Sequence, residues 1–210
     1  LPAKNVVPID ESLPEDVVSF FDAYGNATHC ALEFDVVGED VLVTGANAKG
    51  ASLGALSLKT GSFQGDLTAI GSVGTVAIPG NFDTGLISAL SLKRLTVKGD
   101  MLHAVVRLSQ TPDPKLKALG ALAVTGWMND CTIRAAGDIG AITAGGLLNS
   151  TIFAGVKDSV VALPADASDF SAAATIKTLT VRGVKSAPTA DYFANTLIGA
   201  RYLGAVTLKH

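Results

Sequence analysis

The sequence predicts an all-β fold, a right-handed parallel β-helix (β-solenoid) of about eight coils with a short N-terminal capping helix. Three observations lead there. One short template recurs along the chain, its apolar residues alternate with period two, and a glycine usually closes it. Copies begin at Leu53, Val73, Leu92, Leu119, Ile139, Ile176 and Leu203. Successive starts differ by 20, 19, 27, 20, 37 and 27 residues, so the base period is 19–20 with three insertions. A fixed period of that size marks a repeat architecture.

Each element follows from a local rule. In "LGALSLKTG", "LKRLTVKG" and "IKTLTVRG", Leu56 and Leu58 flank Ser57, Leu95 and Val97 flank Thr96, and Leu179 and Val181 flank Thr180. Alternation of this kind describes a strand with one buried face. The closing glycine is expected to turn the corner through a positive φ. A second short strand follows in most units, as in "DLTAI" (66–70), "GLISA" (85–89), "CTIRA" (131–135), "STIFA" (150–154) and "NTLIGA" (195–200). Leu67, Leu86, Ile133 and Leu197 each sit six residues before the next template, and Ile152 holds the matching place ahead of an insertion. Two short strands cannot bury a core alone, but stacked coils place each apolar residue over its equivalent. Right-handed winding is expected because parallel crossovers close that way.

Between residues 119 and 156 the repeat is nearly literal. A shift of 20 brings Gly120, Ala121, Gly126 and Asn129 onto Gly140, Ala141, Gly146 and Asn149. One residue then drops out, and "CTI" (131–133) matches "STI" (150–152).

The organisation has two parts: an N-terminal segment over 1–50 and the solenoid over 51–210. Inserted loops fall near 109–117, 157–175 and 184–193. The first two share a corner, and insertions in repeat arrays are extruded there, often on a binding face. In the N-terminal segment "SLPEDVVSFFDAYG" (12–25) reads as a helix. Ser12 and Glu15 make a capping box, Pro14 sits in the first turn and Gly25 stops it. Its stripe of Val17, Phe20, Phe21 and Tyr24 is suited to cover the open end of the stack. "CALEFDVV" (30–37) and "DVLVTG" (40–45) then begin the coils. The other end has no such cap, because the last template runs to His210; a cut chain or a partner covering that edge is expected.

Bulk properties exclude several function classes. The 210 residues carry a net charge of −3, so no global field attracts nucleic acid or an anionic membrane. Mean hydropathy is +0.40, yet no apolar run reaches the roughly 18 residues a spanning helix needs. The first residue is Leu, so a removed secretion signal or an artificial start is expected. Cys30 and Cys131 can pair if the protein is secreted, but two buried small side chains are the simpler expectation.

Motifs that carry chemistry are sparse. His29, His103 and His210 lack companions at metal-ligand spacing, and no nucleophile elbow, phosphate loop or dinucleotide fingerprint is present. No catalytic, cofactor or metal residue is therefore assigned, and the chain is expected not to be an enzyme. "GD" recurs at Gly65-Asp66, Gly99-Asp100 and Gly137-Asp138. Stacked carboxylates there are a weak Ca²⁺ candidate; turn-forming aspartates that bond nearby backbone are the stronger reading. Lys59, Lys98, Arg182 and Lys209 form an outward basic column without a matching acidic cluster, which disfavours a polysaccharide lyase. The outward column Ser57, Ala77, Thr96, Ala123, Thr143, Thr180 and Thr207 makes a flat surface of small side chains. Alanines and the neighbouring Arg94 and Lys98 argue against an ice-binding array. Such a surface suits packing against a second flat one. Asn26 and Asn149 begin glycosylation sequons.

The units "LGALAVTGWMNDCTIRAAGDIGAITAGGLLNSTIFAG" resemble repeat modules of large secreted or surface-attached bacterial parallel β-helix proteins. The likeness covers residues 53–156 and, more loosely, 176–208. It implies a solenoid scaffold in an extracellular setting and carries no catalytic residue to transfer. The expected function is a non-enzymatic extracellular structural or adhesive module, self-assembling or built into a larger surface layer, matrix or fibre. The alternative is a carbohydrate-active β-helix that binds or cleaves polysaccharide through its inserted loops. A domain of a phage or secretion-system fibre is a third expectation.

Overall fold

The computed structural model describes residues 52–113, 115–187 and 191–209 in full, and residues 28–32, 36–37 and 41–43 by their backbone. The predicted helix over 12–25 lies outside the described residues. The first strands are β1 (Thr28–Leu32), β2 (Val36–Val37), β3 (Val41–Val43), β4 (Leu53–Leu58), β5 (Phe63–Ala69), β6 (Val73–Ile78) and β7 (Phe82–Ala89). Then come β8 (Leu92–Val97), β9 (Met101–Leu102), β10 (Val105–Leu108), β11 (Leu119–Val124), β12 (Trp127–Asn129) and β13 (Thr132–Ala135). The rest are β14 (Ile139–Ala144), β15 (Gly146–Leu148), β16 (Thr151–Ala154), β17 (Thr175–Val181), β18 (Phe193–Ala194), β19 (Leu197–Ala200) and β20 (Tyr202–Leu208). One 3-10 turn, Ala167–Asp169, interrupts the strands, held by a capping box between Asp166 and Asp169.

Every template strand joins one eight-stranded sheet, in the order β1-β4-β6-β8-β11-β14-β17-β20. All of its pairings are parallel. Each strand therefore belongs to a separate coil, and the coils stack about 4.8 Å apart. Leu56, Val76, Leu95, Leu122, Ile142, Leu179 and Val206 are register partners in succession. From Leu56 to Leu179 this row is at most 2% exposed. The alternation of template residues thus becomes a continuous aliphatic column.

The rest of each coil holds one strand more than the sequence suggests. A 12-stranded sheet divides into two arms. The corner arm runs β7-β9-β12-β15-β18, and the return arm runs β7-β10-β13-β16-β19. β5 pairs with β7 along its length and takes β2 and β3 on its other side. The corner strands are only two or three residues long, too short to show a period. Their inward column is Phe63, Phe82, Met101, Met128, Leu147 and Phe193. The Phe63 and Phe82 rings lie 5.3 Å apart.

Equal spacing before the next template does not put residues in one row. Leu86 and Leu197 lie one position off the inward row, which is Leu67, Ile87, Val106, Ile133, Ile152 and Ile198. The pairing steps from Phe63↔Phe82 to Gly65↔Gly85, so β7 carries one extra residue at the bend. The residue lost between the two literal repeats also lies earlier than letter matching places it. Ala123 faces Thr143, a shift of 20, but Trp127 already faces Gly146, a shift of 19. The deletion sits at the corner after the template, and Asn129 partners Leu148 rather than Asn149.

Glycine serves the stack mainly by close approach. Of the glycines that close the template, Gly61 and Gly183 have positive φ, 80° and 87°. At Gly80, Gly99, Gly126 and Gly145 the backbone turns without it. There a Cβ would stand 1.9–2.5 Å from an oxygen of the preceding coil. The same contact at Gly74 and Gly140 is 2.0 and 2.1 Å. A coil spacing set by backbone pairing leaves no room for a methyl at these points.

Candidate functional site

The three Gly-Asp pairs are structural ties between coils. The Asp66 carboxylate accepts the Leu86 N–H at 2.8 Å, Asp100 accepts from Trp127 at 2.8 Å, and Asp138 accepts from Thr175 at 2.7 Å. Each bond reaches the next coil rather than the residue's own turn. The chain of ties extends backward: Asp100 N–H donates to Asn81 Oδ1, and Asn81 N–H donates to Ser62 Oγ. Glycine precedes Asn81, Asp100 and Trp127 because a Cβ there would collide with the accepting side chain below. Among the described residues no group of three or more His, Cys, Asp or Glu that could hold a metal occurs.

A second polar column was not read from the sequence. Between corner and return strands, one residue per coil adopts the left-handed conformation: Gly65, Thr84, His103, Asp130, Asn149 and Asn195, the last five at φ 47–53°. Asn, Asp and His tolerate this region better than most residues. Their side chains meet along the edge. Asn149 donates to Asn129 Oδ1 at 3.0 Å and accepts from Asn195 at 3.2 Å. His103 lies 3.5 Å from Asp83 and 3.8 Å from Asp130. Recurrence of Asn, Asp or His just before Ala104, Cys131, Ser150 and Thr196 was the available signal.

Behind that column the small residues turn inward. Cys131 N–H donates to Ser150 Oγ at 3.1 Å, and Ser150 N–H to Thr196 Oγ1 at 3.4 Å. Cys131 is a buried free thiol. Burial pushes it up to about 11, because the thiolate would be poorly solvated there. Cys30 lies in the first coil and Cys131 in the fifth, about 19 Å apart along the stack. A disulfide spans at most about 7 Å between Cα atoms, so the two cannot pair.

The basic column does not form a site. Lys98 and Arg182 follow template strands, but Pro79, Thr125 and Gly145 hold the same place in other coils. Two outward rows of the template face carry mostly small side chains: Ala55, Thr75, Arg94, Ala121, Ala141, Thr178, Ala205 and Ser57, Ala77, Thr96, Ala123, Thr143, Thr180, Thr207. The position before the first of these rows is glycine in most coils and an exposed lysine, Lys93 or Lys177, in two.

The return face differs. Its outward row reads Thr68, Ser88, Arg107, Arg134, Phe153 and Gly199. The insertion after Val156 folds back over the last part of that row. Val156 bridges Phe170, and Pro164 comes within about 3 Å of where a Gly199 Cβ would stand. Arg134 pins this loop. Its guanidinium donates to the carbonyls of Lys157 and Val160, lies 3.7 Å from Asp158 and sits 4.9 Å over the Phe153 ring. The loop becomes one wall of an open groove of about 550 Å³. Thr68, Ser88 and Arg107 form its floor, and Ser109, at the root of the first insertion, lies at its far side. The two insertions that the sequence placed at one corner thus border one groove. The third, over 184–193, instead packs Tyr192 against Trp127, ring centroids 5.8 Å apart.

No family model matches the chain, and no solved structure matches it. Short matches to one enzyme are found. The chain is 60% identical over 50 residues to proteins named L-threonine 3-dehydrogenase from Xanthomonas campestris pv. campestris (strain B100) and Xanthomonas oryzae pv. oryzae (strain MAFF 311018). Over the same length it is 58% identical to the protein of that name from Stenotrophomonas maltophilia (strain K279a). Each match covers 24% of this chain and 15% of the relative's length. These matches correct the expectation that the chain is not an enzyme, since about a quarter of it shares most of its residues with one. The expectation rested on the absence of motifs, and a 50-residue piece of an enzyme need not carry a complete one.

Proposed function

We propose that the stack is a right-handed parallel β-helix and that it serves as an extracellular structural or adhesive module of a secreted or surface-attached bacterial protein, self-associating into a layer, matrix or fibre. One observation supports this above the others. In the two outward rows of the template face, spanning seven coils, Arg94 is the single residue other than Ala, Ser or Thr, and beside those rows only Lys93 and Lys177 add a long side chain within the strands. Such a plain, about 29 Å long from first coil to last, loses little side-chain entropy when a second plain covers it. Electron microscopy of the purified chain at rising concentration tests the reading. Sheets or filaments are expected, and Ala123→Lys with Thr143→Lys should leave single particles. A wild-type protein that stays monodisperse at every concentration overturns it.

A second reading follows from the dehydrogenase matches. The segment over 1–50 has the length of the matched stretch and none of the seven template copies begins in it, although Thr28–Leu32 already pairs with the first of them; this reading assigns the enzyme-like residues there. The repeats then act as a scaffold carrying that segment. Consumption of L-threonine by the full chain, followed chromatographically, supports it; consumption unchanged after the 1–50 segment is replaced by a linker counts against it. Among the described residues no helix is long and apolar enough to cross a membrane.

A further inference from the structure

We propose that the return-face groove binds a linear glycan bearing anionic groups, carboxylate or sulfate ester, one of which is seated on Arg107. The proposal names a partner for the adhesive reading and rests on it. Its starting point is an imbalance of charge. Arg107 and Arg134 are register partners on neighbouring coils, so their Cα atoms are about 4.8 Å apart. Arg134 has its carbonyls, Asp158 and the Phe153 ring. Arg107 is exposed, and no group among the described residues pairs with it. With Lys157 the groove holds three cations and one carboxylate, Asp158, on a chain whose net charge is −3. Two adjacent guanidinium groups raise the local potential, and an oxyanion with two oxygens facing the fork relieves it through paired N–H donors.

The rest of the lining selects the carrier. Hydroxyls of Thr68, Ser88, Ser109 and Ser171 line it beside the half-buried Ala136 and the exposed apolar side chain of Ile70. That mixture suits sugar rings, which offer hydroxyls at their edges and C–H groups on their faces. A peptide strand finds no purchase, because the floor strands are already paired on both sides within the stack. The floor repeats at about 4.8 Å per coil along the axis, which favours a linear polymer over a compact ligand.

Isothermal titration of the full chain tests this with three probes: an oligogalacturonate, a dextran sulfate oligomer and an unsubstituted dextran oligomer. At least one charged probe should bind at least tenfold tighter than neutral dextran, and which one does so identifies the anion. Arg107→Ala should weaken that binding at least tenfold and Arg107→Lys less. Ser88→Trp, which fills the floor and leaves the charges in place, should also abolish it. Lys98→Ala, at the end of a template strand, should change nothing. Equal binding of neutral dextran, no binding of any probe, full binding by Arg107→Ala, or an equal loss in Lys98→Ala each overturns the proposal. Sheets or filaments that persist without glycan binding sink the groove alone; binding without assembly sinks the assembly alone.

Discussion

The template face and the return face are built from the same coils, yet one is a plain and the other holds a groove. On the template face every coil contributes a strand of similar length, and nothing is inserted within it. On the return face Lys157, Asp158 and Ser171 of the 157–175 insertion, with Ser109 at the root of the 109–117 insertion, border a groove that Ser88 and Arg107 also line. Regular repetition makes a surface that one coil cannot distinguish from the next. A distinct site requires an interruption, and the inserted segments supply it at the corner where the core is not disturbed.

The largest effect expected from breaking this contrast lies in the shared core. Leu95 is fully buried between Val76 and Leu122, so Leu95→Ala should cost about 2–5 kcal/mol in urea unfolding. Its outward neighbour Thr96→Ala should stay within about 0.5 kcal/mol. Equal costs at the two positions would show that the alternation does not separate core from surface. A smaller and local effect is expected on the return face. Arg134→Ala removes the carbonyl bonds and the Asp158 pair that hold the insertion, so trypsin should cut after Lys157 several-fold faster, while the strands remain protected. An unchanged cleavage rate would show that Val156, Phe170 and Pro164 hold the wall unaided.

The smallest effect concerns Cys131, behind the polar edge column. An ordinary thiol loses its proton near 9, whereas burial holds Cys131 to about 11. Between those values the unfolded chain binds fewer protons than the folded one, so stability falls as pH rises from 9 to 11 and is fully present below 9. In a Cys30→Ser background the urea midpoint should decline across that window more steeply than in the same background with Cys131→Ala. Parallel slopes would mean that the thiol is not sequestered.

Much of the fold could be read from the residue pattern, and the places where reading failed share a cause. Leu56, Val76, Leu95 and Leu122 stand in one column as expected, because alternation over six residues is long enough to register. The corner strands, such as Met101–Leu102 and Trp127–Asn129, are too short to show a period. Spacing to the next template alone matches Leu86 and Leu197 to Leu67 and Ile133, whereas strand pairing gives Ile87 and Ile198. The identical letters at Asn129 and Asn149 suggested a register one residue off, because backbone pairing, not side-chain identity, fixes which residues face each other. The groove was foreshadowed only by the two insertions sharing a corner. That Arg134 would be occupied and Arg107 left over depends on where the loop folds back, which no local pattern contains.

By itself the sequence determined the period, the inward aliphatic rows and the points where extra chain leaves the stack, since each depends on spacing within a few residues. Tertiary structure alone decided that Asp100 ties Trp127 of the following coil, that the closing glycines are required by a neighbouring coil's oxygen, and that one arginine of a stacked pair remains unpaired. Those outcomes arise from groups 18 to 27 residues apart brought within a few ångströms, and contact at that range exists only once the coils are in place.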